Sequence, residues 1–402
     1  MTDIRLARRV TDIRISPSTA AAQKVRDLKA QGRDIVDLTV GEPDFDTPDP
    51  IKEAAIEAIR RGDTKYTPVN GTVALRQAIR QDFATRLGID CGLDDICVGG
   101  GAKQILFVAL MATVEAGDEV IIPAPYWVSY PDMVVAQGGT PVIVPCGPEA
   151  GFKLTPGALE AAITPRTRWV VLCSPSNPTG AAYAPAELAA LAEVLLRHPQ
   201  VMVLCDEIYD RIWFADFPAA SIVTVEPALR DRALVVNGVS KSHAMTGWRI
   251  GYGVGPRAIV GAINKLQSQM SSCPSSVSQA AAAFALTADQ AGVAAQVQVY
   301  RARRDRAHAL INAIPGLEAA LPDGAFYLFA SCAGMIGRTA PDGRVIATDQ
   351  DFVLYLLEAE GVAAVHGGAY GMEPYFRIST ATAMAVIEDA CARIARACAA
   401  LR

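Results

Sequence analysis

Histidine is scarce in this chain, with four residues in 402, at positions 198, 243, 308 and 366, and no pair has metal-ligand spacing. A zinc or iron centre is therefore not expected, and the metal assignment is none. The nine cysteines (Cys91, Cys97, Cys146, Cys173, Cys205, Cys273, Cys332, Cys391 and Cys398) form no C-x-x-C pair. Several lie in apolar strand-like runs such as Val170–Cys173, so reduced, buried thiols are expected rather than a disulfide framework. Long apolar runs are missing as well. Nowhere do roughly 18 uncharged apolar residues follow one another, the length a membrane span needs. The first thirty residues are broken by Asp3, Arg5, Arg8, Arg9, Asp12, Arg14, Lys24, Arg26, Asp27 and Lys29, which excludes a signal peptide and points to the cytoplasm. Finally, no block of one charge sign occurs. The 37 basic and 42 acidic residues are interspersed and give a net charge of −5, which argues against nucleic-acid or anionic-membrane partners.

What is present is the text of a large folded chain, 51% hydrophobic and 20% charged. Its length exceeds one ordinary core, so two domains are expected. Short apolar, β-branched runs at Val120–Ile122, Pro141–Val144, Trp169–Cys173, Val201–Cys205 and Leu234–Val236 alternate with helical stretches. That alternation predicts an α/β fold, a mostly parallel sheet covered on both faces in three layers. The helices carry their own punctuation. Asp49-Pro50 opens Ile51–Arg61 and Gly62 closes it, and Thr72–Leu87 is closed by Gly88. Ala102–Val114 is apolar nearly all round and should be buried. Beyond about residue 287 the pattern changes to a long helix (Ala288–Ile314), shorter strands around Ala325–Phe329, Val362–Val365 and Phe376–Ser379, and a last helix from Met384 to Ala400. The expected division is an N-terminal arm with part of the smaller domain (1–46), a large domain (47–287) and a smaller α+β domain (288–402).

Ligands of doubly wound sheets bind beyond the carboxyl ends of the strands. Three successive strands here deliver polar residues to that edge: Ser174-Pro-Ser-Asn177-Pro-Thr-Gly180, then Asp206-Glu-Ile-Tyr209, then Ser240-Lys241 followed by Arg249. Singly, each has an ordinary explanation as a turn, a helix cap or a solvated side chain. Together and in this order they point to a site for an anionic, ring-like ligand. Gly99-Gly100-Gly101-Ala102-Lys103 precedes the buried helix, whose first N–H groups can hold an anion.

With these motifs the chain resembles the fold-type-I pyridoxal-5′-phosphate (PLP) aminotransferases, in the branch of the bacterial aspartate aminotransferases. The resemblance runs from Gly41-Glu-Pro-Asp-Phe-Asp-Thr-Pro48 to Phe376-Arg377-Ile-Ser. It implies that Lys241 carries the cofactor covalently and shuttles the proton at the substrate Cα. Asp206 would pair with the pyridine nitrogen, and Tyr209 and Asn177 with the phenolic oxygen. Gly101, Ala102, Lys103, Ser240 and Arg249 would hold the phosphate, Trp127 would stack on the ring, and Arg377 and Gly41 would receive the substrate carboxylate. Tyr66 resembles the tyrosine that reaches the neighbouring subunit's phosphate, so a homodimer is implied.

For the substrate, Lys103 and Ser18 stand where the branch contacts a dicarboxylate and covers it, and Asn177 and Trp127 also border that space. Aspartate or glutamate with 2-oxoglutarate or oxaloacetate is thus the expected pair. Two positions depart from the pattern: Ser16 where a basic residue is common, and His366 where a proline is common. Aromatic or prephenate-type side chains, or a PLP-dependent C–S β-lyase on the same scaffold, are the alternatives. A regulatory effector domain is not expected, because some forty residues before Gly41 are too few for a helix-turn-helix module.

Overall fold

The structure, a computed structural model, describes residues 4–15 and 17–402. Ser16 and the side chains of Ser18 and Thr19 lie outside the described residues, and with them the covering role expected of Ser18. The strands in chain order are β1 (Val36–Asp37), β2 (Ile96–Gly99), β3 (Glu119–Ala124), β4 (Thr140–Pro145), β5 (Thr167–Cys173), β6 (Met202–Asp206) and β7 (Ala233–Gly238). They continue as β8 (Gly251–Val254), β9 (Glu318–Ala319), β10 (Tyr327–Ser331), β11 (Val362–Ala363), β12 (Val365–His366) and β13 (Tyr375–Ser379).

Seven of them form the main sheet in the order β2-β8-β7-β6-β5-β3-β4. From β4 to β7 the neighbours are parallel, and β8 runs antiparallel to both of its partners. The apolar runs fold this way because both faces of the sheet are covered. Ile121, Val170, Val203 and Val235 enter one core, while Val120, Ile122, Val171, Leu204 and Val236 enter the other. Adjacent residues of a strand point to opposite sides, so a continuous apolar run is what a doubly covered strand requires. The helix Ala102–Thr113 lies in the second of these cores through Ile105, Leu106, Val108, Ala109 and Leu110.

A third core gathers Val36 and Leu38 with Leu328, Phe376, Ile378 and Ile394, around the antiparallel sheet β12-β13-β10-β9 and the β1-β11 pair. The arm thus contributes to the same core as the chain's last hundred residues. The long helix spans Ala291–Asn312 and the last one Met384–Ala400.

Some sequence expectations need correction. β2 and β8 are absent from the expected strands, since β8 reads Gly-Tyr-Gly-Val and lacks a β-branched run. The run Val362–Val365 is split between two sheets, β11 pairing with β1 and β12 with β13. The strand expected around Ala325–Phe329 begins two residues later, because Ala325 takes a positive φ of 58°. Helices at Arg257–Met270 and Ser276–Thr287 were not anticipated. Thr72 does cap its helix, accepting from Leu75 N at 3.3 Å, but the α-helix ends at Asp82 and widens into a π-turn over Phe83–Leu87 before Gly88. All nine cysteines are free thiols, six buried and three half-buried.

Candidate active site

A cavity of about 460 Å³ opens at the carboxyl edge of the parallel strands. The turn after β5 supplies Asn177, the end of β6 supplies Asp206 and then Tyr209, and the turn after β7 supplies Ser240 and Lys241. Trp127 comes from the turn after β3, Ala102 and Lys103 from the helix after β2, and Arg249 from the residues before β8. Gly41 and Arg377 enter from the arm and from β13, which closes the cavity with the third core's elements.

Lys241 Nζ donates to the Gly41 carbonyl at 2.6 Å. Burial lowers its pKa to about 8. The Glu42 charge opposes that shift, Arg249 and Arg377 reinforce it, and Asp206 opposes it further. At neutral pH about a tenth of this amine is therefore unprotonated and nucleophilic, far more than an exposed lysine offers. Asp206 is buried and its pKa is raised, first by burial. Against burial stand the Tyr130 hydroxyl, donating at 2.6 Å, the Ile208 N–H at 3.4 Å and the charge of Lys241.

Arg377 is buried between two aromatic faces, its guanidinium 4.4 Å from the Tyr327 ring centre and 5.3 Å from that of Tyr370. It donates to Asn177 Oδ1 at 3.0 Å and to the Thr39 carbonyl at 2.5 Å, while its Nε has no hydrogen-bond partner. Among the described residues, neither Arg377, Lys241, Lys103 nor Arg249 is in an ion pair with a carboxylate. Lys103, Arg249 and Arg377 thus bring positive charge to one cavity with no carboxylate ion-paired to them, which favours anionic ligands, while Glu42 and Asp206 border it near Lys241.

The glycine turn shapes one end of that site. Gly101 has φ of +100° and precedes the first helical residue, and a Cβ there would overlap the Arg249 guanidinium. Arg249 donates to the carbonyls of Thr246 (2.9 Å) and Gly100 (3.1 Å), so it is held across the helix start. Any Cβ on Gly251 would strike the backbone of Gly101 and Ala102, which explains the glycine that opens β8. The first N–H groups of the helix have no intrahelical acceptor and face this corner with Arg249. Lys103 sits with its Nζ 4.7 Å from the centre of the Trp127 ring. Partial burial of the ammonium and the nearby Arg249 charge lower its pKa.

Behind the edge, a buried charge network fixes the turn after β6. Arg86 bridges Asp82 (3.1 Å) and Asp210 (2.7 Å), Arg211 pairs with Asp82, and Asp210 accepts from Asn237 Nδ2 at 2.7 Å. Removing one member would strand a buried charge, so this turn is rigid support for Asp206 and Tyr209.

Tyr66 is 91% exposed and does not line the cavity of its own chain. Ser18 has no described side chain. Conversely, sequence reasoning missed Tyr130 and Tyr327. Tyr130 lies three residues after Trp127, and that proximity was its only signal. Tyr327 exchanges a 2.7 Å hydrogen bond with Tyr209, packs its ring on Arg377 and fills the space beside Gly41, where a Cβ would overlap its hydroxyl. It comes from a strand of another sheet and carries no local motif.

A family model for class I and II aminotransferases matches residues 33–394. An aspartate/prephenate aminotransferase of Cereibacter sphaeroides is 52% identical over 390 residues, 96% of this chain and 98% of that protein. A probable aspartate/prephenate aminotransferase of Rhizobium leguminosarum bv. phaseoli is 51% identical over 397 residues, 99% of each. The crystal structure of the Rhizobium meliloti aspartate aminotransferase superposes over the whole of both chains with a TM-score of 0.97 at 49% identity. That of Thermus thermophilus aspartate aminotransferase with maleate superposes at 0.91 and 38% identity, covering 98% of this chain and all of that one. The chain belongs to the class I and II aminotransferase family.

Proposed function

We propose that this protein is a PLP-dependent aminotransferase that moves the amino group between aspartate or glutamate and a 2-oxo acid such as 2-oxoglutarate or oxaloacetate. The observation that carries this reading is the pairing, in one cavity, of a lysine with a lowered pKa and a buried carboxylate, with Lys103, Arg249 and Arg377 around them in no ion pair with a carboxylate. These groups fit the cofactor's chemistry. The phosphate corresponds to the helix start at Gly101, Ala102 and Lys103 with Ser240 and Arg249; the cationic ring nitrogen to Asp206; the phenolic oxygen to Tyr209 and Asn177; and the flat ring to the face of Trp127. Bound PLP supplies an aldehyde that condenses with amines and a ring that takes up electron density from the substrate Cα.

The protein's own groups do the rest. Lys241 would hold the cofactor through its amine and move the proton at the substrate Cα. Asp206, which accepts from the Tyr130 hydroxyl, would pair with the ring nitrogen and favour its protonated form. Arg377 grips the α-carboxylate as a planar fork, and the tyrosine faces on either side keep water from it. Lys103, at the cavity mouth, is placed for a second carboxylate, which favours dicarboxylic substrates. Tyr66, exposed on its own chain, is suited to complete the site of a second copy in a homodimer. No described helix is long and apolar enough to cross a membrane, in keeping with a cytoplasmic location. The shared core of arm and C-terminal residues supports the division into 1–46 with 288–402 as the smaller domain and 47–287 as the larger.

The test is a panel of amino acids mixed with the PLP-loaded protein, followed by loss of the cofactor's visible band and by stoichiometric 2-oxo acid formation. Prephenate belongs in the acceptor set, since two relatives carry it in their names. Release of pyruvate and ammonia without an acceptor would instead indicate β-elimination.

Two further outcomes are expected. Arg377→Ala should weaken amino-acid and 2-oxo-acid substrates by about 2–5 kcal/mol, the cost of losing a buried charged contact, with PLP loading unchanged. A KM series alongside cofactor titration checks this, and loss of PLP affinity instead would reassign the arginine. The rate at which cofactor-free protein takes up PLP should climb by about tenfold per pH unit below the amine's pKa, as the neutral fraction does. It should level off near pH 8, the value to which burial lowers Lys241, rather than continue toward the 10.5 of an ordinary lysine. A stopped-flow pH series reads the bend directly.

A further inference from the structure

Asp349 opens the helix Asp349–Ala359 and its side chain has no exposed surface, yet no lysine or arginine pairs with it among the described residues. Its Oδ2 accepts from Gly368 N at 3.0 Å and from Tyr375 N at 3.4 Å. Its Oδ1 lies 3.7 Å from His366 Nδ1, within ion-pair reach but beyond a hydrogen bond, and neither of these two atoms has a hydrogen-bond partner. A buried carboxylate is costly, and packing alone would be served better by an apolar side chain of the same volume. The helix start offsets part of that cost, since its N–H groups favour a negative charge.

The contacts of this carboxylate fall on the two ends of one excursion. His366 closes β12, Gly368 lies in the turn Gly367–Tyr370 that follows, and Tyr375 opens β13. Between them the chain carries Tyr370, fully buried, whose ring faces the Arg377 guanidinium and whose carbonyl accepts from Tyr126 N at 3.0 Å, one residue before Trp127. In the sheet, Val365 lies opposite Arg377 and His366 opposite Phe376. One carboxylate therefore ties down the segment that walls Arg377 on one side and supports the Trp127 turn on the other. His366 is also one of the two positions that depart from the family pattern, and its backbone (φ −66°, ψ 149°) is one a proline could adopt, so the backbone does not require a histidine here.

We propose that Asp349 and His366 form a positioning pair for Arg377, setting the Tyr370 turn so that the guanidinium meets the substrate carboxylate. The inference rests on the assignment of Arg377 to that carboxylate. Neither residue touches the reacting atoms, so the pair governs how tightly carboxylates are held and leaves the proton transfers at Lys241 alone.

The experiment compares PLP-loaded wild type with Asp349→Ala, Asp349→Asn and His366→Ala, measuring kcat, KM for aspartate and the inhibition constant of maleate. Misplacement of a binding group by about 1 Å can cost on the order of a hundredfold, so a partial loosening in Asp349→Ala should raise KM about tenfold. The maleate constant should rise in step, while kcat and the cofactor's visible band stay close to wild type. Asp349→Asn keeps an oxygen for the two N–H donors and loses the charge, so it should recover part of the loss, and His366→Ala should fall between. A folded, PLP-loaded Asp349→Ala with unchanged KM and maleate constant overturns the proposal, as does a fall in kcat alone. If Asp349→Ala does not fold, unchanged constants in both other variants overturn it. Should wild type show no transamination, the functional reading fails rather than the pair, and calorimetric maleate binding to the same variants then decides the pair.

Discussion

Replacing Lys241 by alanine should abolish covalent attachment of PLP and lower transamination by about 10⁴-fold or more, since both nucleophile and proton carrier are lost at once. The structure gives the reason for singling out this lysine. Its Nζ lies within the cavity, 2.6 Å from the Gly41 carbonyl, and burial lowers its pKa to about 8. Lys103, the other lysine of the cavity, is an exposed residue with its Nζ held 4.7 Å from the Trp127 ring centre, so it is not placed to take over the task. The alanine variant should fold and bind PLP without a covalent link, because the cations at the helix start and Asp206 remain. The check is the protein's mass after borohydride treatment with PLP: wild type gains the reduced cofactor on the peptide containing position 241, and the variant gains nothing. An adduct on another lysine in wild type would remove the basis of the assignment.

Much of this site was legible in the sequence because the chemistry sits on turns directly after strands. Trp169–Cys173, Val201–Cys205 and Leu234–Val236 are continuous apolar runs that read as doubly covered strands, and Asn177, Asp206, Tyr209 and Lys241 follow them within a few residues. A local signal of this kind carries its own address. Arg377 and Gly41 needed the resemblance, since nothing in their immediate surroundings says that β13 and the arm fold back over the main sheet. Tyr130 and Tyr327 stayed hidden for a physical reason. Their work is a contact with a side chain remote in sequence, Asp206 in one case and Tyr209 with Arg377 in the other. A tyrosine in an apolar segment reads as core until that partner is in place. The same holds for β8, where Gly251 and Gly253 look like strand breakers although the backbone of the helix start leaves Gly251 no room for a side chain. The buried Asp82–Arg86–Asp210–Arg211 network joins a helix to a turn more than a hundred residues away, and no spacing rule could have announced it.

Asp206→Asn should reduce kcat by about 10²–10³-fold, the range seen when one fixed electrostatic partner of a transition state is removed, while leaving the cavity's shape intact. Asparagine is nearly isosteric, and its carbonyl oxygen can still accept from the Tyr130 hydroxyl, so a structural collapse is not the expected cause of the loss. What disappears is the negative charge that keeps a proton on the ring nitrogen, and with it the ring's capacity to hold electron density from the substrate Cα. The substitution carries a second, independent consequence. The Asp206 charge raises the pKa of Lys241 against the lowering by burial. Without it the amine should lose its proton more readily, and the bend in the pH dependence of PLP uptake should move below pH 8. The two effects have opposite signs: attachment at neutral pH becomes faster while turnover collapses. Single-turnover kinetics with aspartate, set beside the uptake series, would separate them. A variant that turns over within about threefold of wild type, or whose uptake bend moves upward, would show that position 206 does not face the ring nitrogen, because a charge so placed must act on both.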